Sequence, residues 1–231
     1  MLHAPAGILW LIAALIAAHL GRLALGPVQA ETLMVHYAFI PARYGMAFLH
    51  HGLDAAQVWA WAIPFVSYIF IHANFVHLGI NCLWLLALGP VVARRFTLLW
   101  FLLFFFICGI LAAGTVLVLA WGAAMAVIGA SGAISGLMGA AIRMLPTPGP
   151  FGLSPAAKLA PLFSRPVLFF TLVWVVINLV MGLTSFGTSL TGGGAIAWQA
   201  HIGGYLAGLL LAKPFDRLSV EFFNHNRNHH G

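Results

Sequence analysis

The charged residues of this chain stand at the ends of long apolar runs, and the runs themselves are nearly free of charge. Of its 231 residues, 62% are hydrophobic and only 6% are Asp, Glu, Lys or Arg. Soluble domains carry about 25% charged residues, and about 20 apolar residues cross a bilayer as a helix. The sequence therefore predicts an all-α, polytopic membrane protein. The formal net charge of +6 does not indicate a nucleic-acid partner, because the basic residues form no stripe and instead report membrane topology.

Six membrane-spanning helices are predicted, and the fourth is a short helix that begins at Ser131. The other five spans cover residues 7–25, 61–92, 96–120, 166–183 and 197–212. Residues 26–57 are expected to form an interfacial loop, and the six prolines between Pro146 and Pro166 to form an exposed loop. The chain is interpreted as one membrane domain, residues 1–231. Its six-span core covers about residues 8–212, and a short mobile tail covers residues 213–231.

The first apolar run has an alternative interpretation as a secretory signal, because Val28-Gln29-Ala30 resembles a small-residue cleavage site. The segment before the run lacks Lys and Arg, and Arg22 separates the run from that site. Both features favour a retained first span.

Basic residues are distributed unequally between the two sides of the predicted helices. Arg22 and Arg43 fall on one side. Eight others fall on the opposite side: Arg94, Arg95, Arg143, Lys158, Arg165, Lys213, Arg217 and Arg227. Because cytoplasmic loops are enriched in Lys and Arg, both termini are predicted to be cytoplasmic.

Residues 129–136 form a run of mostly very small residues in which Ser131 carries a hydroxyl group. Glycines beside a serine allow another backbone to approach closely, as attack on a peptide bond requires. The first charge after Ser131 is Arg143, 12 residues on, which is about 18 Å along a helix. Ser131 is therefore expected well inside a hydrocarbon core of about 30 Å.

Three further polar residues are expected near the depth of Ser131. His201 and Asn81 precede the first charge of their predicted spans by 12 and 13 residues respectively. His77 lies one helical turn from Asn81 on the same face. This arrangement suggests a hydroxyl nucleophile at Ser131 and an imidazole base at His201. His77, Asn81 and the backbone N–H of Ser131 would then be donors to an oxyanion.

The chain has four acidic residues, all outside the predicted spans: Glu31, Asp54, Asp216 and Glu221. No carboxylate can therefore orient His201 at that depth, which excludes a Ser-His-Asp triad and leaves a Ser-His dyad. The imidazole is expected to be held by packing or by polar neighbours. The same inventory argues against a proton-coupled transporter, which usually keeps a carboxylate inside the membrane.

Helix packing is the alternative role for the small residues. Two Gly-xxx-Gly spacings occur, at Gly132 and Gly136 and at Gly204 and Gly208. Such spacings commonly pack transmembrane helices against each other. Ser135, one turn into the fourth helix, is expected to bond to the backbone of that helix.

A different class of function is metal or haem binding through His72, His77 and His201, because neutral imidazole nitrogens are suitable ligands. That interpretation gives no role to Ser131 or Asn81. His72 lies five residues before His77, about 140° around a continuous helix, so a structural role is expected for it.

These motifs together resemble the rhomboid family of intramembrane serine proteases. The resemblance rests on the Gly-x-Ser-Gly of residues 129–132, on His72-xxxx-His77-xxx-Asn81, and on Ala-His-Ile-Gly-Gly at residues 200–204 followed by Gly208. It covers the six-span core, and the three motifs occur in the family's order on the corresponding spans.

The resemblance implies that Ser131 is the nucleophile and His201 the general base. It implies that His77 and Asn81 are oxyanion donors. It also implies a set of structural positions near the site: His72, Gly129, Gly132, Gly203 and Gly204. Many bacterial members place a tyrosine four residues after the nucleophile, stacked on the histidine, whereas this chain has Ser135, so the group that orients His201 is left open.

Family members hydrolyse peptide bonds in or near transmembrane segments and use no metal or cofactor. The resemblance therefore implies a transmembrane protein as substrate and the lipid bilayer as surroundings. It implies a bacterial inner membrane as the location.

Overall fold

The computed structural model of the chain describes residues 5–45, 55–145, 147–149, 152–154, 158–184 and 197–229. Nine α-helices are found in these ranges: α1 Ala6–Leu23, α2 Pro27–Tyr37, α3 Ala55–Ala62, α4 Pro64–Ser67, α5 Phe75–Ala93, α6 Leu98–Leu119, α7 Ser131–Met144, α8 Arg165–Leu183 and α9 Trp198–His229. Two 3-10 turns cover Pro41–Tyr44 and Tyr68–Phe70. Two three-residue strands, β1 Thr147–Gly149 and β2 Gly152–Ser154, pair as an antiparallel hairpin. The architecture is therefore helical, as predicted, and the proline-rich loop contains this hairpin.

Four of these helices are long and apolar enough to cross a membrane: α1, α5, α6 and α8. The six-span count is therefore not confirmed. Helix α7 has only 14 residues, and the helix that contains His201 does not reach the same length of apolar sequence within the described residues.

The second predicted span begins later than expected, at Phe75 and not near Trp61. Ile71 is extended, and Asn74 adopts a β conformation and caps the following helix. The Asn74 side chain accepts a hydrogen bond of 2.8 Å from the backbone N–H of His77. Such a cap satisfies one of the free donors of a helix N-terminus, so it fixes where α5 begins.

Helix α7 forms the centre of the bundle. All of its residues except Ser131 and Met138 are buried, and it packs against α5, α6 and α9. A side chain at Gly204 would overlap the carbonyl of Gly132, and one at Gly208 would overlap the carbonyl of Gly136. The two Gly-xxx-Gly spacings therefore bring the backbones of α7 and α9 into direct contact, as the packing alternative proposed.

The end of α7 opposite Ser131 is fixed by a buried guanidinium. Arg143 is 5% exposed and donates hydrogen bonds to the carbonyls of Ala160 (3.0 Å) and Leu209 (2.7 Å). These bonds join α7 to the following loop and to α9. Arg143 therefore links elements of the bundle, in addition to marking the end of the apolar run.

Helix α9 runs past residue 213, where the tail is predicted to begin, and ends at His229. The extension is held at its base. Arg95 pairs with the carboxylate of Asp216 through two bonds of 2.5 and 3.0 Å. The backbone N–H of Thr97 donates to the hydroxyl of Ser219 at 2.9 Å.

The connection before α7 is anchored to the first loop. Phe39 and Val127 form a β-bridge with backbone hydrogen bonds of 3.1 and 2.8 Å. The backbone N–H of Gly129 donates to the carbonyl of Tyr68 at 2.9 Å. These bonds hold the chain just ahead of Ser131. Residues 46–54 of the predicted interfacial loop lie outside the described ranges.

Candidate active site

Ser131 and His201 meet at the N-terminal ends of α7 and α9. The Ser131 hydroxyl oxygen lies 2.8 Å from Nε2 of His201, although the two residues are 70 positions apart in the chain. Both residues are partly exposed. This hydrogen bond joins the two residues that the sequence analysis placed at one depth, and its length is that of a nucleophile and its base.

The second ring nitrogen of His201 contacts a residue that the sequence analysis missed. Nδ1 of His201 lies 2.8 Å from Oδ1 of Asn178, which is on α8 and only 4% exposed. An inventory of carboxylates cannot reveal an amide in the fifth span. A signal was present, because Asn178 lies 13 residues from Arg165, the same spacing that drew attention to Asn81 and Arg94.

Gly129 gives the chain the shape it needs immediately before the serine. Its φ of +107° is a left-handed conformation that residues with a side chain rarely adopt. A Cβ at this position would also lie 2.7 Å from Nε2 of His77. Both the backbone conformation and the nearby His77 ring therefore require a glycine at this position. Because Gly129 has no side chain, the His77 ring can pack directly against the backbone that precedes Ser131.

His77 is oriented by its other nitrogen, which accepts a hydrogen bond of 3.4 Å from the backbone N–H of Ala73. When Nδ1 of a neutral imidazole accepts, the proton is on Nε2. The N–H of His77 then faces the serine loop, where a donor to an oxyanion is needed.

Asn81 is 3% exposed and lies one turn further along α5. Its side-chain NH2 donates one hydrogen bond, of 2.8 Å, to the carbonyl of His77. An amide NH2 has two hydrogens, so a second donor remains. The buried Oδ1 has no hydrogen-bond partner among the described residues.

His72 is fully buried, but it does not share a helix with His77 as the sequence analysis assumed. It lies in the extended segment before α5, and its ring packs edge-on against that of His77, with centroids 5.1 Å apart. Nε2 of His72 accepts from the backbone N–H of Ala130 at 3.5 Å. Arg22 donates to the carbonyls of His72 and Ala73 at 3.0 and 3.1 Å. His72 therefore supports the backbone of Ala130, the residue immediately before Ser131.

The remaining candidate positions are packing sites around the Ser–His pair. Gly132 faces Ala112 on α6 and Gly204 on α9, while Gly203 faces Thr115. Ser135 donates to the carbonyl of Ser131 at 2.8 Å, as expected for a serine bonded to its own helix.

The acidic side chains described do not reach this site. Glu31 lies in α2, and Asp216 pairs with Arg95 at the other end of the bundle. Across the described ranges, no three His, Cys, Asp or Glu side chains converge as metal ligands. In addition, both ring nitrogens of His201 are engaged by Ser131 and Asn178.

The fold and this site define a polytopic helical membrane protein with a hydrogen-bonded serine and histidine inside its bundle. Residues 55–216, more than two thirds of the chain, match the family model described as Rhomboid domain. The chain therefore belongs to the rhomboid family, which is known as a family of intramembrane serine proteases. No curated protein matches the chain at a significant level.

Proposed function

We propose that this protein is an intramembrane serine endopeptidase that cleaves peptide bonds in or near the transmembrane segments of other membrane proteins. The observation that carries the proposal is the 2.8 Å contact between the Ser131 hydroxyl and Nε2 of His201. Membership of the rhomboid family supports the same chemistry. The catalytic unit is a Ser–His dyad that uses no metal or cofactor.

In the first half of the reaction, the Ser131 oxygen attacks the scissile carbonyl while Nε2 of His201 takes the hydroxyl proton. The developing oxyanion needs donors that are already in place. The Nε2–H of His77 and the second N–H of Asn81 fill this role. The backbone N–H of Ser131 is a third donor, because the first amides of a helix have no partner inside that helix.

The first half ends when the C–N bond breaks and His201 gives its proton to the leaving amine. In the second half, His201 takes a proton from a water molecule that attacks the acyl-enzyme ester, and it returns that proton to the Ser131 oxygen as the ester bond breaks. A base that serves both half-reactions must keep a neutral Nε2 facing the serine oxygen, so the orientation of the ring matters throughout the cycle.

The substrate of such a site must unwind locally before it can react. In a transmembrane helix every carbonyl is bonded to an amide four residues on, and leaving those groups unpaired in lipid costs several kcal/mol each. Segments with Gly or Pro near the cut are therefore favoured over segments of Leu alone. We also expect a small residue at the cleaved position, because Gly129 and Gly132 flank the nucleophile.

The proposed protease has a defined arrangement in the membrane. The chain forms a single membrane domain of residues 1–231, and its six-span core covers about residues 8–212. Two of the six spans are α7 and the first part of α9. The protein lies in the inner membrane of a bacterium, with both termini on the cytoplasmic side. The partners are the bilayer and a transmembrane protein substrate, and no nucleic acid is involved.

The test is cleavage of a reporter transmembrane segment by the purified protein in proteoliposomes. Ser131→Ala and His201→Ala should each abolish cleavage, because each removes one partner of the hydrogen bond. Ser135→Ala is the matched control, since it deletes a hydroxyl one turn away that bonds only to the backbone. Cleavage that survives in Ser131→Ala would overturn the proposal. Equal cleavage of a Gly-containing and a Leu-only segment would refute the unwinding argument.

A further inference from the structure

We infer that Asn178 is the positioning residue for His201: its amide oxygen fixes both the tautomer and the direction of the imidazole. The inference rests on the proposed function, in which His201 is the base. The predicted spans contain no carboxylate that could orient His201, and Asn178 takes that role.

The orientation of the Asn178 amide is itself determined by the helix that carries it. Its Nδ2 donates a 2.8 Å hydrogen bond to the carbonyl of Trp174, one turn earlier on α8. A carbonyl can only accept, so the nitrogen of the amide must face Trp174. The oxygen of the amide must then face His201, and Oδ1 does lie 2.8 Å from Nδ1 of the ring.

An amide oxygen can only accept a hydrogen bond, so Nδ1 of His201 must donate. A neutral imidazole with its proton on Nδ1 has its lone pair on Nε2. Nε2 is the nitrogen that contacts the Ser131 hydroxyl, and it needs this lone pair to take the proton. The chain of hydrogen bonds from Trp174 through Asn178 therefore selects the tautomer that is competent as a base.

A neutral amide suits this position better than a carboxylate. The side chain is buried in the bundle, and an ionised group there would need a partner to offset the loss of its hydration. An amide orients the ring without adding charge. It stabilises the imidazolium less than a carboxylate does, so we assign it the orientation of the base and not the neutralisation of its charge.

The position of Asn178 depends on how α8 lies against α9. Thr171, Asn178 and Gly182 are spaced by seven and four residues, which places them on one face of α8. The Thr171 hydroxyl is 2.9 Å from that of Tyr205, and Gly182 lies against the ring of Trp198. The rest of α8 is mostly exposed to the surroundings of the bundle. Asn178 therefore lies on the face of α8 that packs on α9, between these two contacts.

The first measurement is steady-state cleavage of the reporter by variants at this position. Asn178→Leu keeps the side-chain volume but removes the acceptor, and kcat should fall by about 10- to 100-fold with little change in KM. Asn178→Asp keeps an acceptor for Nδ1 but cannot donate to Trp174 when ionised, so it should lose less of kcat than Asn178→Leu does. Thr171→Val is the matched control, because it removes a polar contact between α8 and α9 but does not touch His201. It should retain kcat.

The second measurement does not depend on activity. Nitrogen NMR of the protein labelled with 15N-histidine, in lipid, should show a protonated Nδ1 and an unprotonated Nε2 for His201. Asn178→Leu should lose that pattern, and Thr171→Val should keep it. His201→Ala identifies the signal.

Several outcomes would overturn the inference. The first is an unchanged kcat in folded Asn178→Leu. The second is an equal loss of kcat in Asn178→Leu, Asn178→Asp and Thr171→Val. The third is a wild-type His201 ring with its proton on Nε2. If the wild type cleaves no reporter at all, the proposed function fails, but the NMR result still decides whether Asn178 sets the tautomer.

Discussion

At the scale of single residues, the polar side chains around Ser131 differ in how many of their donors and acceptors have hydrogen-bond partners. His201 has a partner on each ring nitrogen, whereas Asn81 donates one of its two amide hydrogens to the backbone of its own helix. Unused donors in a buried site are costly, and native proteins keep them mainly where a function needs them. The second N–H of Asn81 is therefore a reasonable donor to a charge that develops only during the reaction.

We predict that Asn81→Ala slows turnover by about 10- to 1,000-fold, up to about 4 kcal/mol, while substrate affinity changes little. The reason is that the donor acts on the oxyanion and not on the ground-state carbonyl. The measurement is kcat and KM for the reporter. Cys82→Ala, at the next position along α5, is the control. If kcat and KM were both unchanged in Asn81→Ala, the residue would serve packing alone.

The residues of the Ser–His pair could be predicted because counting residues to the next charge gives a depth in the membrane. Asn178 lies at the same distance in residues from Arg165, but the absence of carboxylates from the spans gives no sign that an amide takes their place. The position of His72 could not be predicted, since it depends on the chain leaving the helix before the Asn74 cap.

At the scale of elements, the glycines of α7 and α9 serve both packing and the site. They let the two backbones touch, and this close approach is what brings the first turn of α9, with His201, against Ser131. The sequence offered packing and chemistry as alternatives for these motifs, but the structure shows that close packing sets the geometry of the Ser–His pair. Hydropathy alone could not locate the start of α5, because apolar residues continue on both sides of the break at residues 71–74.

Gly208→Ala should lower the stability of the protein by about 1–3 kcal/mol, because the added methyl group would overlap the carbonyl of Gly136. Gly114→Ala is the matched control. Gly114 is also helical, but a Cβ there meets no atom within 4 Å. Replacing it should be neutral or stabilising by up to about 1 kcal/mol. Thermal unfolding in the same detergent compares the two. Equal melting temperatures would contradict the backbone contact between α7 and α9.

At the scale of the whole molecule, the length of α7 explains how a polar site can lie inside a membrane protein. Its 14 residues extend about 21 Å, which is less than the hydrocarbon core of about 30 Å. A helix of this length that is fixed at one face must begin below the other face. Composition predicted the helical membrane class and the long apolar helices. It could not establish six spans, because the two helices that carry the site are short or interrupted by polar residues.

The predicted topology can be tested with single cysteines at two exposed positions in described connections, Trp121 and Lys158. In a background of Cys82→Ala and Cys108→Ala, Trp121→Cys should react with an impermeant maleimide added outside the cell. Lys158→Cys should react only after the membrane is opened. The reason is that α7 joins the two connections from opposite ends. Reaction of both from one side would refute the depth assigned to Ser131.

The central claim is that His201 activates the Ser131 hydroxyl as a nucleophile inside the bundle. It is tested most directly by treating the purified protein with a serine-directed fluorophosphonate and locating the adduct by mass spectrometry. We predict one adduct on Ser131 in the wild type, none in His201→Ala, and an unchanged adduct in Ser135→Ala. A folded wild-type protein that forms no adduct on Ser131, or labels equally well without His201, would contradict this account.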